Sequence, residues 1–174
     1  MPGSLSFPDG HIEAHIRWLT RADMPEVMRI EQASFDDPWS KKEFDEILRD
    51  RDIVAQAAAS RRFGNVLGYS VYRLAKRQFE IINLAIAPED RRYDVATQLV
   101  ANLTGRLDRD RRHRVIANVR ETNLGAQLFF RSCGFRAVEV LRNHFDNGES
   151  AYRFEYLLPD LLESLRESAA TGNH

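Results

Sequence analysis

The chain has a single cysteine, Cys133, in 174 residues. No intrachain disulfide can form, and such low cysteine usage suits a reducing compartment. With nothing beside it to activate the thiol, Cys133 reads as a small buried hydrophobe. No run of 18 apolar residues occurs, so no bilayer-spanning helix is expected. The first residues lack the basic, then apolar, then small-residue order of a secretory leader, and a cytoplasmic location is expected. Neither sign of charge is in excess: 25 Lys and Arg against 26 Asp and Glu leave a net charge of -1. No global field therefore draws the chain to nucleic acid or to an acidic membrane. The basic run RDRRHR at 109–114 is local and diluted by Asp108 and Asp110, so it reads as a solvated helix end and loop. Three chemical signatures are also missing. There is no GxxxxGK phosphate loop, no HExxH or paired Cys/His spacing for zinc, and no GxSxG nucleophile elbow. No metal is expected.

What is present is ordinary soluble-protein material, 43% hydrophobic and 29% charged, in a length that suits one domain with a sizeable core. Residues 1–13 hold two Pro and two Gly with little periodicity and read as a loose tail. The domain is expected over 14–158, and a helical extension or tail over 159–174.

Within the domain the periodicities alternate. AHIRWL at 14–19 reads as a strand. Thr20 with Asp23 opens a helix whose apolar face is Met24, Val27, Met28 and Ile30. Pro38 breaks it, and Ser40 with Glu43 forms a capping box for a second helix to about 49. Strands follow over 53–59, 66–75 and 78–87, the last ended by Pro88. A charged turn, EDRRYDVA at 89–96, leads into a helix over about 92–106. A strand over 114–120 and a helix over 124–132 come next, then strands over 137–141 and 151–158. Asp146-Asn147-Gly148 marks the turn between those two. Past Pro159, Leu161, Leu162 and Leu165 suggest a short amphipathic helix. The class is α/β: one mixed, twisted sheet of about seven strands flanked by about four helices.

The turn at 91–97 is the first chemical signal. Backbone N–H groups that open a helix have no intrahelical acceptor, and the helix dipole is positive there, so this end suits an anion. The order and spacing of blocks around it resemble the GNAT acetyltransferase superfamily. The family's Arg/Gln-x-x-Gly-x-Gly/Ala turn is matched by Arg91, Asp94 and Ala96. Its Asn, aromatic, Gly-Phe block is matched by Asn123, Phe130, Gly134 and Phe135. IEQASFDDPWSKKEF at 30–44 and RNHF at 142–145 further resemble N-terminal acetyltransferases of the ribosomal-protein-alanine type.

That resemblance implies acetyl-CoA as co-substrate and an amine as acceptor. A protein N-terminus is favoured over a lysine or a small amine, and direct attack on the thioester is expected. It places coenzyme pyrophosphate on the main chain of Arg91, Arg92, Tyr93, Asp94, Val95, Ala96 and Thr97. It places the pantetheine arm along Leu84, Ala85 and Ile86, with Asn123 as a further contact that also suits a helix N-cap. It sets Phe35 and Trp39 near the acceptor, though both also suit a hydrophobic plug. Three positions depart from the pattern. Asp94 stands where glycine is usual and brings a carboxylate near an anion. Asn118 stands where relatives carry a Glu or His base, and Phe130 where they carry a Tyr acid; neither side chain moves a proton usefully. Glu80, on the strand face of Ile82 and Leu84, is a substitute base, or else a strand-end group paired to Lys76 or Arg77. His144 is a second candidate base. Tyr69, Tyr72 and Tyr152 are undistinguished candidate acids. The rival reading is a coenzyme-A-binding or partner-binding module with little catalysis. No membrane or nucleic-acid partner is expected, and a homodimer is left open.

Overall fold

Hydrogen-bonded strands in the order β1-β2-β3-β4-β5-β7-β6 form one seven-stranded sheet in the computed structural model, which describes residues 11–171. The strands are β1 (Ala14–Trp18), β2 (Ile53–Ser60), β3 (Val66–Leu74), β4 (Gln78–Ile86), β5 (Arg114–Arg120), β6 (Arg136–Leu141) and β7 (Ala151–Leu157). The helices are α1 (Met24–Ser34), α2 (Lys41–Ile47), α3 (Val95–Thr104), α4 (Leu124–Ser132) and α5 (Pro159–Thr171), with 3-10 turns over Arg21–Asp23 and Pro88–Asp90. The β4–β5 pairing is parallel; β1–β2, β5–β7 and β6–β7 are antiparallel. The expected mixed α/β sheet of seven strands is therefore present. Among the described residues, four helices accompany the sheet and a fifth follows Pro159, as expected, and of the expected tail at 1–13 residues 1–10 lie outside the described residues.

The chain divides into two compact units. One takes the chain up to Val71 together with Asn83–Val100; the other takes Tyr72–Ile82 and everything from Ala101. In the first unit, successive strand residues feed two separate cores. Ala57, Val66, Tyr69, Val71 and Ala85 pack with Met24, Val27 and Ile30 of α1 and Phe44 of α2. Their sequence neighbours Ala58, Leu67 and Ile86 pack with Val95 and Leu99 of α3. This is the period-2 alternation of a sheet covered on both faces, and it explains why β3 is a near-continuous apolar run. Gly68 is required there, because a Cβ on it would meet Ile86 Cδ1 and lie 2.8 Å from the Ala85 carbonyl. In the second unit Val115, Ala117, Val119, Phe130, Phe135 and Phe154 are buried.

The helix starts follow local chemistry. Asp23 accepts from the Thr20 N–H at 2.7 Å and from Arg17 Nη1 and Nη2, at 2.7 and 2.8 Å. The Arg17 hydrogen bonds, with help from Thr20, outweigh burial and hold its carboxyl down at about 2. Ser40 and Glu43 form the reciprocal capping box of α2, which ends at Ile47, before the expected Arg49. α3 starts at Val95, not Arg92. Arg92 and Asp94 have φ of 71° and 61°, in the left-handed region that a right-handed helix cannot include. α5 runs 13 residues with none buried, longer than the short helix expected.

Candidate active site

The main chain between Pro88 and α3 holds the strongest chemical feature. With φ positive at Arg92 and again at Asp94, the backbone alternates hand across four residues, the geometry that gathers successive N–H groups around a concavity. Among the described residues, no acceptor takes the N–H groups of Arg92, Tyr93, Asp94, Val95, Ala96 or Thr97. The first intrahelical bond here is from the Gln98 N–H to the Asp94 carbonyl, at 3.0 Å. Six consecutive donors at the positive end of a helix thus stand without acceptors among the described residues, in a turn exposed over 91–94. The donor set fits a diphosphate.

The side chains around the turn sort themselves by partner. Arg91 folds back, its Nε donating to the Ile86 carbonyl at 3.1 Å and its Nη2 to Ser34 Oγ at 3.0 Å. Its role here is to tie the turn to the end of β4 and to α1. Arg29 adds a second tie to Glu89 at 2.9 Å, and that bond, after one to its own backbone N–H, lowers the Glu89 carboxyl. Arg92 is exposed and makes no ion pair among the described residues, so its charge is left for an anion. The Asp94 carboxylate is 63% exposed and lies 3.6 Å from His11 Nδ1. It turns neither onto Arg91 nor onto Arg92. Gln98 closes the turn from α3, its amide donating to the Ile12 carbonyl at 2.6 Å and accepting from the Ala14 N–H at 2.9 Å. Leu84, Ala85 and Ile86 come later on β4 than the last β5 pair, Ile81↔Ala117.

A second polar group lies in the same unit, and the sequence reading did not single it out. Glu31 is 1% exposed. Its Oε2 accepts from the Tyr69 hydroxyl and from Asn83 Nδ2 at 3.0 Å, and its Oε1 accepts from the Trp39 N–H at 2.8 Å. Burial first, and then the Glu31 carboxylate, raise the Tyr69 hydroxyl well above its usual range, so it stays a donor. One sequence signal was available. Glu31 sits on the helical stripe with Val27 and Ile30, and Asn83 interrupts the apolar run IINLAIA; each is a polar group where apolar ones are expected. The Trp39 ring packs edge-on to Phe44, 5.4 Å away, so it serves as a plug, whereas Phe35 is 37% exposed.

In the other unit, Glu80 accepts from Gln78 Nε2 at 2.7 Å and lies 3.9 Å from Arg73. Its cation is thus Arg73, the cross-strand residue of β3, and not Lys76 or Arg77 as expected. Asn118 accepts from Arg153 Nε at 3.3 Å, directly across the β5–β7 ladder. Phe130 is 6% exposed and stacks with Phe129, Phe135 and Phe154. Asn123 caps α4, accepting from the Ala126 N–H at 3.0 Å. His144 is exposed, with its ring against Phe145. Tyr72 is buried and accepts from Arg106 at 2.8 Å. Cys133 is half-buried at the end of α4, not fully buried as expected. The basic run at 109–114 is partly committed: Arg112 donates to the Ala75 carbonyl and covers Phe79, and Arg114 pairs with Glu155. No helix among the described residues is long and apolar enough to cross a membrane, and among them no cluster of His, Cys, Asp and Glu could hold a metal.

The model of the acetyltransferase (GNAT) family matches residues 24–135. A Bacillus subtilis protein, provisionally named as a ribosomal-protein-bS18-alanine N-acetyltransferase, is 27% identical over 140 residues, 80% of this chain and 92% of that one. An N-alpha-acetyltransferase of Sulfolobus acidocaldarius is 26% identical over 81% of this chain and 90% of its own. The crystal structure of the ribosomal-protein-S18-alanine N-acetyltransferase of Escherichia coli superposes with a TM-score of 0.72 at 21% identity, covering 84% of this chain and 94% of that one.

Proposed function

The chain belongs to the acetyltransferase (GNAT) family, and from that premise we propose that it moves an acetyl group from acetyl-CoA to an amine, with a protein N-terminus as the favoured acceptor. The observation that carries this reading is the row of six N–H groups at residues 92–97 that find no acceptor among the described residues, opened by left-handed Arg92 and Asp94. Acetyl-CoA supplies the activated thioester. The chain's own part begins with charge: the main-chain donors and the Arg92 guanidinium would hold the pyrophosphate. The β4 main chain at Leu84, Ala85 and Ile86 would hold the pantetheine arm as an added strand. A protein N-terminus is favoured because both curated relatives are named for α-amino acetylation. Phe35, exposed beside Asp36 and Asp37, suits an acceptor peptide that carries an ammonium.

The amine must lose a proton to attack. Asn118 and Phe130 cannot take or give one. We assign proton acceptance to Glu80, a half-buried carboxylate that accepts from Gln78 and lies 3.9 Å from Arg73, with His144 as the second candidate. Orientation of the two reactants alone supplies part of the rate.

A second reading is favoured by one observation. Phe130 is buried among phenylalanines, without a hydroxyl, and Asn118 is bonded to Arg153; a coenzyme-A-binding module with weak turnover would look the same. One experiment separates the two. The protein is incubated with acetyl-CoA and peptides of varied first residue, and free thiol is measured. Coenzyme A should raise the melting temperature, and thiol should appear with an amine acceptor present. Stabilisation without thiol release selects the module. If coenzyme A gives no stabilisation, or if Arg92→Ala binds it as wild type does, the donor assignment is wrong.

A further inference from the structure

We propose that Glu31 is a positioning residue for acceptor recognition, holding the segment at residues 35–39 in the shape that meets the acceptor peptide. The inference rests on the acceptor contact assigned above to Phe35. Glu31 joins three pieces of chain at one carboxylate: the Tyr69 hydroxyl from β3, the Asn83 amide from β4 and the Trp39 N–H from the break between α1 and α2. All three donors are neutral, and Glu31 forms no ion pair among the described residues. A buried carboxylate held this way is costly unless each oxygen is satisfied.

The cluster is built around Glu31 and not around the comfort of its members. A carboxylate can only accept, so it fixes Asn83 with its NH2 toward Glu31. Asn83 Oδ1 is then left buried without a partner. That is a cost which an apolar residue at position 83 would avoid. What the arrangement secures is the Trp39 N–H. That bond, with the Trp39 ring on Phe44, fixes the far end of a segment whose near end is the Phe35 N–H on the Glu31 carbonyl at 3.2 Å. One residue therefore anchors both ends of the segment, by its main chain at Phe35 and its side chain at Trp39. Between the anchors, Phe35, Asp36 and Asp37 are exposed.

The test uses the full chain, acetyl-CoA and a hexapeptide beginning with Ala, read by thiol release, with coenzyme A stabilisation measured alongside. Glu31→Leu removes both acceptor oxygens at similar volume. The acceptor KM should rise about 10-fold, the cost of losing one charge-assisted hydrogen bond. The kcat at saturating peptide should stay within about 3-fold, and coenzyme A stabilisation should be unchanged. Combining Glu31→Leu with Phe35→Ala should raise KM no further than the larger single effect, because both act through one segment. If kcat and melting temperature fall while the acceptor KM holds, the residue is merely structural and the proposal is overturned. Should Glu31→Leu fail to fold, Tyr69→Phe removes one donor and keeps the ring; an unchanged acceptor KM there also overturns it. Absence of coenzyme A stabilisation in the wild type would instead strike the donor reading.

Discussion

The Asp94 carboxylate lies 3.6 Å from His11 Nδ1, while its own backbone sits at φ 61°. The main chain of the turn thus takes a left-handed shape that glycine adopts most readily, and the side chain finds a partner other than the two neighbouring arginines. A negative charge still remains at the rim of the turn proposed to hold the pyrophosphate. Asp94→Gly should tighten coenzyme A by about 3- to 10-fold, the scale of removing one surface charge a few ångströms from a phosphate. Asp94→Asn should recover most of that gain, since Asn tolerates the left-handed region equally well. Titration calorimetry at two salt concentrations checks both, and equal affinity in all three proteins would mean that the carboxylate is fully screened.

Gly68 faces the Ala85 carbonyl and Ile86 across β3 and β4. Gly68→Ala should cost about 1–3 kcal/mol in urea unfolding, because the contact is with backbone that cannot move aside cheaply. It should also weaken coenzyme A binding, since the displaced residues are the ones assigned to the pantetheine arm. A stable variant with unchanged binding would show that β4 yields at this point without consequence.

Ser40 Oγ accepts from the Glu43 N–H, and the Ser40 N–H donates back to Glu43 at 2.8 Å. Ser40→Ala should lower stability by about 1 kcal/mol, the usual value of an N-cap. The acceptor KM should rise with it if α2 helps set the segment at 35–39. Denaturant midpoint and peptide kinetics read the two effects separately.

Asp23 carries the pH prediction. Its folded carboxyl is depressed to about 2, below the usual carboxylate value. Its stabilising contribution is therefore fully present above the ordinary carboxylate range and is lost as pH falls through that range toward 2. Wild type should lose more stability than Asp23→Asn between about pH 4 and 2, and the two curves should run parallel above that window. Parallel curves throughout would mean that Asp23 and Arg17 are not paired in solution.

The amino-acid order alone determined the succession of elements and the place of the turn between Pro88 and α3. Strand alternation, the Ser40 capping box, the Pro88 stop and the Asn123 cap are signals spanning a few residues, and their energetics are complete within those residues. The strands at 114–120 and the helix at 124–132 consequently fall where the pattern puts them. What only tertiary structure decided is which side chains share a partner. Glu31 meets a tyrosine 38 residues away and an asparagine 52 away, Arg91 reaches a serine 57 residues back, and Glu80 takes Arg73 across the sheet instead of its nearer basic neighbours. Those pairings follow from strand order, register and burial. A carboxylate is indifferent to sequence distance and answers only to which donors and cations the folded chain sets within about 4 Å of it.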